Sequence, residues 1–130
     1  MTHEDKELLL KDLCARLPYG VKVESVFINT DTKKHKPHGI EVFDATCILM
    51  IRDGFGEFKP YLFPLSSMTD KQKNEYQYIT ERWMNDPAYS ISDSIDWLNE
   101  NHFDYRGLIE KGLAIDATGT DIYDVPEESL

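Results

Sequence analysis

The densest run of chemically capable side chains is Lys33-Lys34-His35-Lys36-Pro37-His38, which sets three ammonium groups and two imidazoles within six residues. Ammonium groups at this spacing neutralise phosphates, and Lys22, Arg52 and Lys59 would enlarge the patch if neighbouring strands brought them alongside. Asp31, Glu41 and Asp44 dilute that field, so a solvated loop explains the run equally well. His35 with His38, or His3 with Glu7, provides half of the three or four converging ligands that a metal site needs; neither metal nor cofactor is expected. His102, flanked by Asp96, Glu100 and Asp104, invites a general-base reading and hence a small hydrolase. No Gly-x-Ser-x-Gly elbow or placed cysteine supplies the nucleophile, and a histidine ending a helix serves its last carbonyls and the helix dipole. No catalytic residue is therefore assigned. Gly54-Phe55-Gly56 lacks the longer glycine fingerprint of a dinucleotide loop and reads as a turn. Cys14 and Cys47 form no Cys-x-x-Cys pair and read as small buried apolar residues in a reducing compartment.

Elements must position these groups. Thr2 and Asp5 can start a helix whose apolar face would be Leu10, Leu13, Cys14 and Leu17, stopped by Pro18-Tyr19-Gly20. Residues Val21 to Ile28 are strand-like, but their apolar parity slips, which predicts a bulge near Glu24-Ser25. Asn29 to Gly39 reads as an exposed connection. Ile40 to Arg52, apolar on both parities in its second half, reads as a central strand, turned by Asp53-Gly54 into a returning strand Phe55 to Phe63. Pro60 would put that strand at an edge or make it irregular. Thr69 and Gln72 fit a capping box before a helix bearing Tyr76, Ile79 and Trp83, and a further helix is expected from about Ile91 to Asn101 with Ile91, Ile95 and Leu98 inward. Leu108 to Lys111 would add a turn closed by Gly112, and residues 113–115 a short extended piece.

The expected fold class is α+β: a small antiparallel sheet of about three strands after an N-terminal helix, followed by two or three C-terminal helices packed on the sheet. Residues 1–117 form the single domain, and the Gly-, Thr- and acid-rich stretch 118–130 reads as a flexible tail.

Three tracts carry a resemblance: Asp12-Leu13-Cys14-Ala15-Arg16-Leu17-Pro18-Tyr19-Gly20-Val21; Lys59-Pro60-Tyr61-Leu62-Phe63-Pro64-Leu65-Ser66-Ser67-Met68-Thr69; and Asp96-Trp97-Leu98-Asn99-Glu100-Asn101-His102-Phe103-Asp104-Tyr105-Arg106-Gly107-Leu108-Ile109 with Lys111-Gly112-Leu113-Ala114-Ile115. From about Lys11 to Ala117 the chain resembles a family of small proteins of Bacteroides-type gut anaerobes and of their phages and mobile elements. The resemblance implies a cytoplasmic accessory protein and brings no activity or catalytic residue with it.

Charge narrows the partners. The net charge of -10 is confined to residues 74–130, which hold 3 basic against 13 acidic side chains, while residues 1–73 balance 11 against 11. Such a half repels phosphate and attracts basic partners. Within it, Trp83, Tyr89, Trp97 and Tyr105 are candidate anchors for a protein partner, since aromatics with a polar rim form interface centres. A protein partner or self-association is the favoured reading, with a DNA mimic as a special case. Nucleic acid bound through Lys22, Lys33, Lys34, Lys36, Arg52 and Lys59 is the alternative. At 130 residues and 41% apolar composition the chain can bury one core, and its longest apolar run falls far below the ~20 residues of a membrane span.

Overall fold

The computed structural model describes residues 2–28, 35–54, 56–85 and 91–123. The chain runs α1 (His3–Arg16), a 3-10 turn, β1 (Lys22–Ile28), β2 (His35–Val42), α2 (Ala45–Asp53), β3 (Gly56–Pro64), a second 3-10 turn, α3 (Asp70–Asn85), α4 (Ile91–Glu100), β4 (Phe103–Asp104) and β5 (Ile115–Asp116). The class is α+β, but its arrangement corrects the expectation: a helix separates β2 from β3, and among the described residues the sheet has five strands. Its order is β2-β1-β3-β4, with β5 also on β3. The β1 pairings are antiparallel, whereas β4 and β5 run parallel to β3.

The largest correction concerns Ile40 to Arg52. Ile40 to Val42 ends β2, and the apolar run beyond it is helical. An apolar stretch on both parities cannot distinguish a central strand from a half-buried helix. The ends decide: the Asp44 carboxylate accepts from the Cys47 amide at 3.1 Å, and Gly54, at φ 78°, closes the last turn onto Ile51 and Met50 carbonyls. Asp53-Gly54 is thus a helix terminus and not a hairpin turn. Part of the supposed connection, His35 to Gly39, belongs to β2. The expected bulge lies one residue further on, between Ser25 and Val26, where Gly39 and then Pro37 are the partners.

Pro60 is buried in a strand with neighbours on both flanks. β1 pairs with Gly56 to Pro60, and β5 and β4 take over from Tyr61 onward, so the residue without an amide proton sits at the handover.

Thr2 caps α1 as expected, accepting from the Asp5 amide at 3.0 Å. Its buried face, however, is Leu9, Asp12, Leu13 and Arg16, rotated from the face read in the sequence, and Cys14 is exposed. The core joins Leu9 and Leu13 of α1, Val23 of β1, Cys47 and Ile51 of α2, Phe58 and Leu62 of β3, and Leu108 and Leu113. Both helices therefore cover one face of the sheet. Thr69 and Gln72 make the reciprocal capping box of α3, at 2.9 and 3.2 Å. α3 packs on α4 through Tyr76 against Trp97, with ring centres 5.5 Å apart. No helix among the described residues is long and apolar enough to cross a membrane.

Candidate functional site

α4 ends where His102 takes the left-handed conformation, φ 63°, while its main-chain N–H donates to the Asn99 carbonyl at 3.1 Å. The cap is made by backbone amides and by the Asn101 side chain, whose amide donates to the Trp97 carbonyl at 2.9 Å. The imidazole instead lies flat against Tyr123, ring centres 3.7 Å apart, with Nδ1 buried and without a hydrogen-bond partner. Burial first, then the nearby charges of Arg16 and Lys22, hold its pKa down to about 4. A neutral ring gives no charge to the helix dipole, contrary to the expectation from sequence.

The hydrolase constellation is not assembled. Asp104 spends both oxygens on backbone amides, accepting from Arg106 and Leu108 at 3.3 and 3.0 Å and from Ile109 at 3.0 Å. Asp96 is exposed on α4. Among the described residues no hydrogen bond joins either carboxylate to His102, and no three His, Cys, Asp or Glu side chains converge as a metal site requires. His3 does meet Glu7, at 2.9 Å on the open surface of α1.

Beside His102 lies a polar knot that sequence reasoning missed. Arg16, fully buried, donates to both Asp12 oxygens at 2.8 and 3.2 Å and to the Phe103 carbonyl at 2.6 Å. Arg106 reaches Asp12 at 3.1 Å and donates to the Tyr105 hydroxyl at 3.1 Å, which in turn donates to Asn99 at 2.9 Å. Both guanidiniums lie over the Tyr105 ring, 4.9 and 5.3 Å from its centre. The i,i+4 spacing of Asp12 and Arg16 was visible in the sequence, but such pairs are usually solvated. Nothing local announced that β4, 87 residues away, would cover this one.

Of the aromatic anchors expected from sequence, Trp97 and Tyr105 are half-buried and make contacts within the molecule. Trp97 is sandwiched between Tyr76 and Phe103, at 5.5 and 5.7 Å, and Tyr105 sits in the arginine clamp. Tyr89 and the side chain of Trp83 lie outside the described residues, as do Lys33, Lys34 and the side chain of Lys36. The remaining basic groups do not form one patch. Lys22 donates its ammonium to the Ile122 carbonyl and lies over the Tyr123 ring. Arg52 pairs with Asp53 on α2, across the sheet from exposed Lys59.

Apolar surface remains on the sheet face opposite α1 and α2, as it does at Leu49, Leu65 and Tyr78 elsewhere. Opposite the helices, β1 and β3 present Lys22, Glu24, Val26, Glu57 and Lys59, and β2 adds Ile40 and Val42, cross-strand partners of Glu24 and Lys22. Ile40 is 57% and Val42 51% exposed, and among the described residues β2 is the terminal strand of the sheet. Composition gave no hint of this pair, because residues 40–42 were read as the start of a buried strand. No family model, curated protein or solved structure matches the chain.

Proposed function

We propose that the protein is a non-enzymatic interaction module of the cytoplasm that binds an extended, basic segment of another polypeptide along β2. The carrying observation is the terminal strand with Ile40 and Val42 side by side on its open face. A strand edge offers main-chain donors and acceptors in register, and alternate side chains of an added strand meet the same face. Covering the two exposed side chains contributes on the order of 2 kcal/mol, enough to favour a partner that also supplies the main-chain bonds. Charge acts at long range and not at β2 itself: the acidic excess of residues 74–130 repels a second copy and draws in a basic chain. The cytoplasmic setting agrees with two free thiols, one of them exposed.

The test is selection of displayed random peptides on the full chain, followed by titration of the winners into labelled protein. Winners with alternating apolar positions and basic residues are expected, shifting the Gly39 to Val42 amides and losing at least tenfold in affinity to Ile40→Lys with Val42→Lys. Winners that bind that double variant equally well overturn the docking site. Concentration-dependent dimerisation that the double variant abolishes would replace the basic partner by a second copy.

A further inference from the structure

Residues 117–123 return across the end of the sheet. The Ala117 amide donates to Leu62 at 2.8 Å, and Thr120 donates its hydroxyl to the Ala117 carbonyl at 2.7 Å. Tyr123 then closes the segment. Its hydroxyl donates to the Tyr61 carbonyl at 2.6 Å and accepts from the Lys22 amide at 2.9 Å, and its ring lies between His102 and Phe63, at 3.7 and 5.9 Å. Beside the same segment, Thr118 and Gly119 form one wall of an open cleft of about 270 Å³ that reaches Phe63 and Phe103, with Ser67, Thr69 and Gln72 lining the rest. One phenol therefore ties three distant segments, and its largest flat contact is a titratable ring.

We propose that residues 117–123 form an acid-released strap: Tyr123 is its latch, His102 its sensor, and protonation of His102 frees the strap and widens the cleft over Phe63 and Phe103. The groups facing the imidazole make the charged form costly. Arg16 approaches from α1, held by Asp12, and Lys22 from β1; the strap brings the Tyr123 phenol, with the Tyr61 phenol beyond it, and buried Nδ1 meets no acceptor. A proton on that nitrogen would be a buried donor without a partner, beside two cations.

The sign follows from linkage. With the strap closed, burial first and then Arg16 and Lys22 hold the His102 pKa down to about 4; opening relieves the burial and leaves both cations in place, so the proton binds the open form more tightly. The closed form is fully favoured above pH 6.5, loses ground as the pH falls through about 4, and loses no more once the pH is well below it. Over that window the closed-to-open ratio falls by at most about 300-fold, the limit in which opening restores the imidazole to its value in water.

Hydrogen exchange read by NMR on the full chain tests the strap, with protection of the Lys22 amide reporting the Tyr123 latch and Val23 and Ser25 of the same strand reporting the sheet. Between pH 7 and 4 the wild-type Lys22 amide is expected to lose protection while Val23 and Ser25 keep theirs. His102→Asn, which retains a residue tolerant of the left-handed backbone, should lack this dependence, and Tyr123→Phe should leave Lys22 unprotected at every pH. Joint loss at Lys22, Val23 and Ser25, or an unchanged pH profile in His102→Asn, overturns the proposal.

Discussion

Asp12 is a single buried carboxylate shared by two arginines, so removing it strands charge in a low-dielectric interior. Asp12→Ala is expected to cost about 3–5 kcal/mol in urea denaturation, well beyond an exposed i,i+4 pair, because Arg16 then lacks its counter-ion. A loss under about 1 kcal/mol would mean that water reaches Arg16. The cysteines divide in the same way. Cys14 should react with a thiol reagent in the folded protein. Cys47 should stay silent until denaturation, since burial above all pushes its thiol up to about 11, with help from its hydrogen bond to Glu41. Both readings begin from residues whose identity was plain in the sequence while their burial was not. Leu10 and Leu9 are equally apolar, and only the covering strand and loop decide which of them faces inward.

At the level of elements, capping chemistry was legible and the apolar run was not. Thr2 and Thr69 announced two helix starts because a hydroxyl and a residue three positions on satisfy amides locally. Thr69→Ala should therefore lower stability by about 1 kcal/mol in thermal denaturation. Residues 45–53 have side chains that suit either period, and what marks them as a helix is Asp44 and Gly54, which flank the run. Gly54→Ala is expected to cost about 1 kcal/mol, since a Cβ disfavours the φ of 78° that ends α2; space is not the obstacle, as that Cβ would meet nothing within 4 Å. Helix α3 differs from α1 in burying no side chain fully among its described residues. Its amides should exchange before those of β1 and β3 as denaturant rises, and simultaneous exchange would show that α3 opens only with the whole domain.

For the molecule as a whole, the α+β class was readable from element order, whereas the flanking of β3 was not. β4 and β5 contribute two residues each, too few for any periodicity to mark. They matter because they bring the C-terminal third against the first strands: Arg16 meets Phe103 across 87 positions, and Lys22 meets Tyr123 across 101. During synthesis, therefore, the arginine on α1 waits without its carbonyl acceptor until residue 103 has cleared the ribosomal tunnel. The sheet end at Lys22 waits for residue 123. A nascent chain stalled before β5 exposes a half-finished sheet, so ribosome-bound chains halted at increasing lengths should gain protease resistance in a late, abrupt step once residue 116 emerges, with Tyr123 adding only the latch on Lys22.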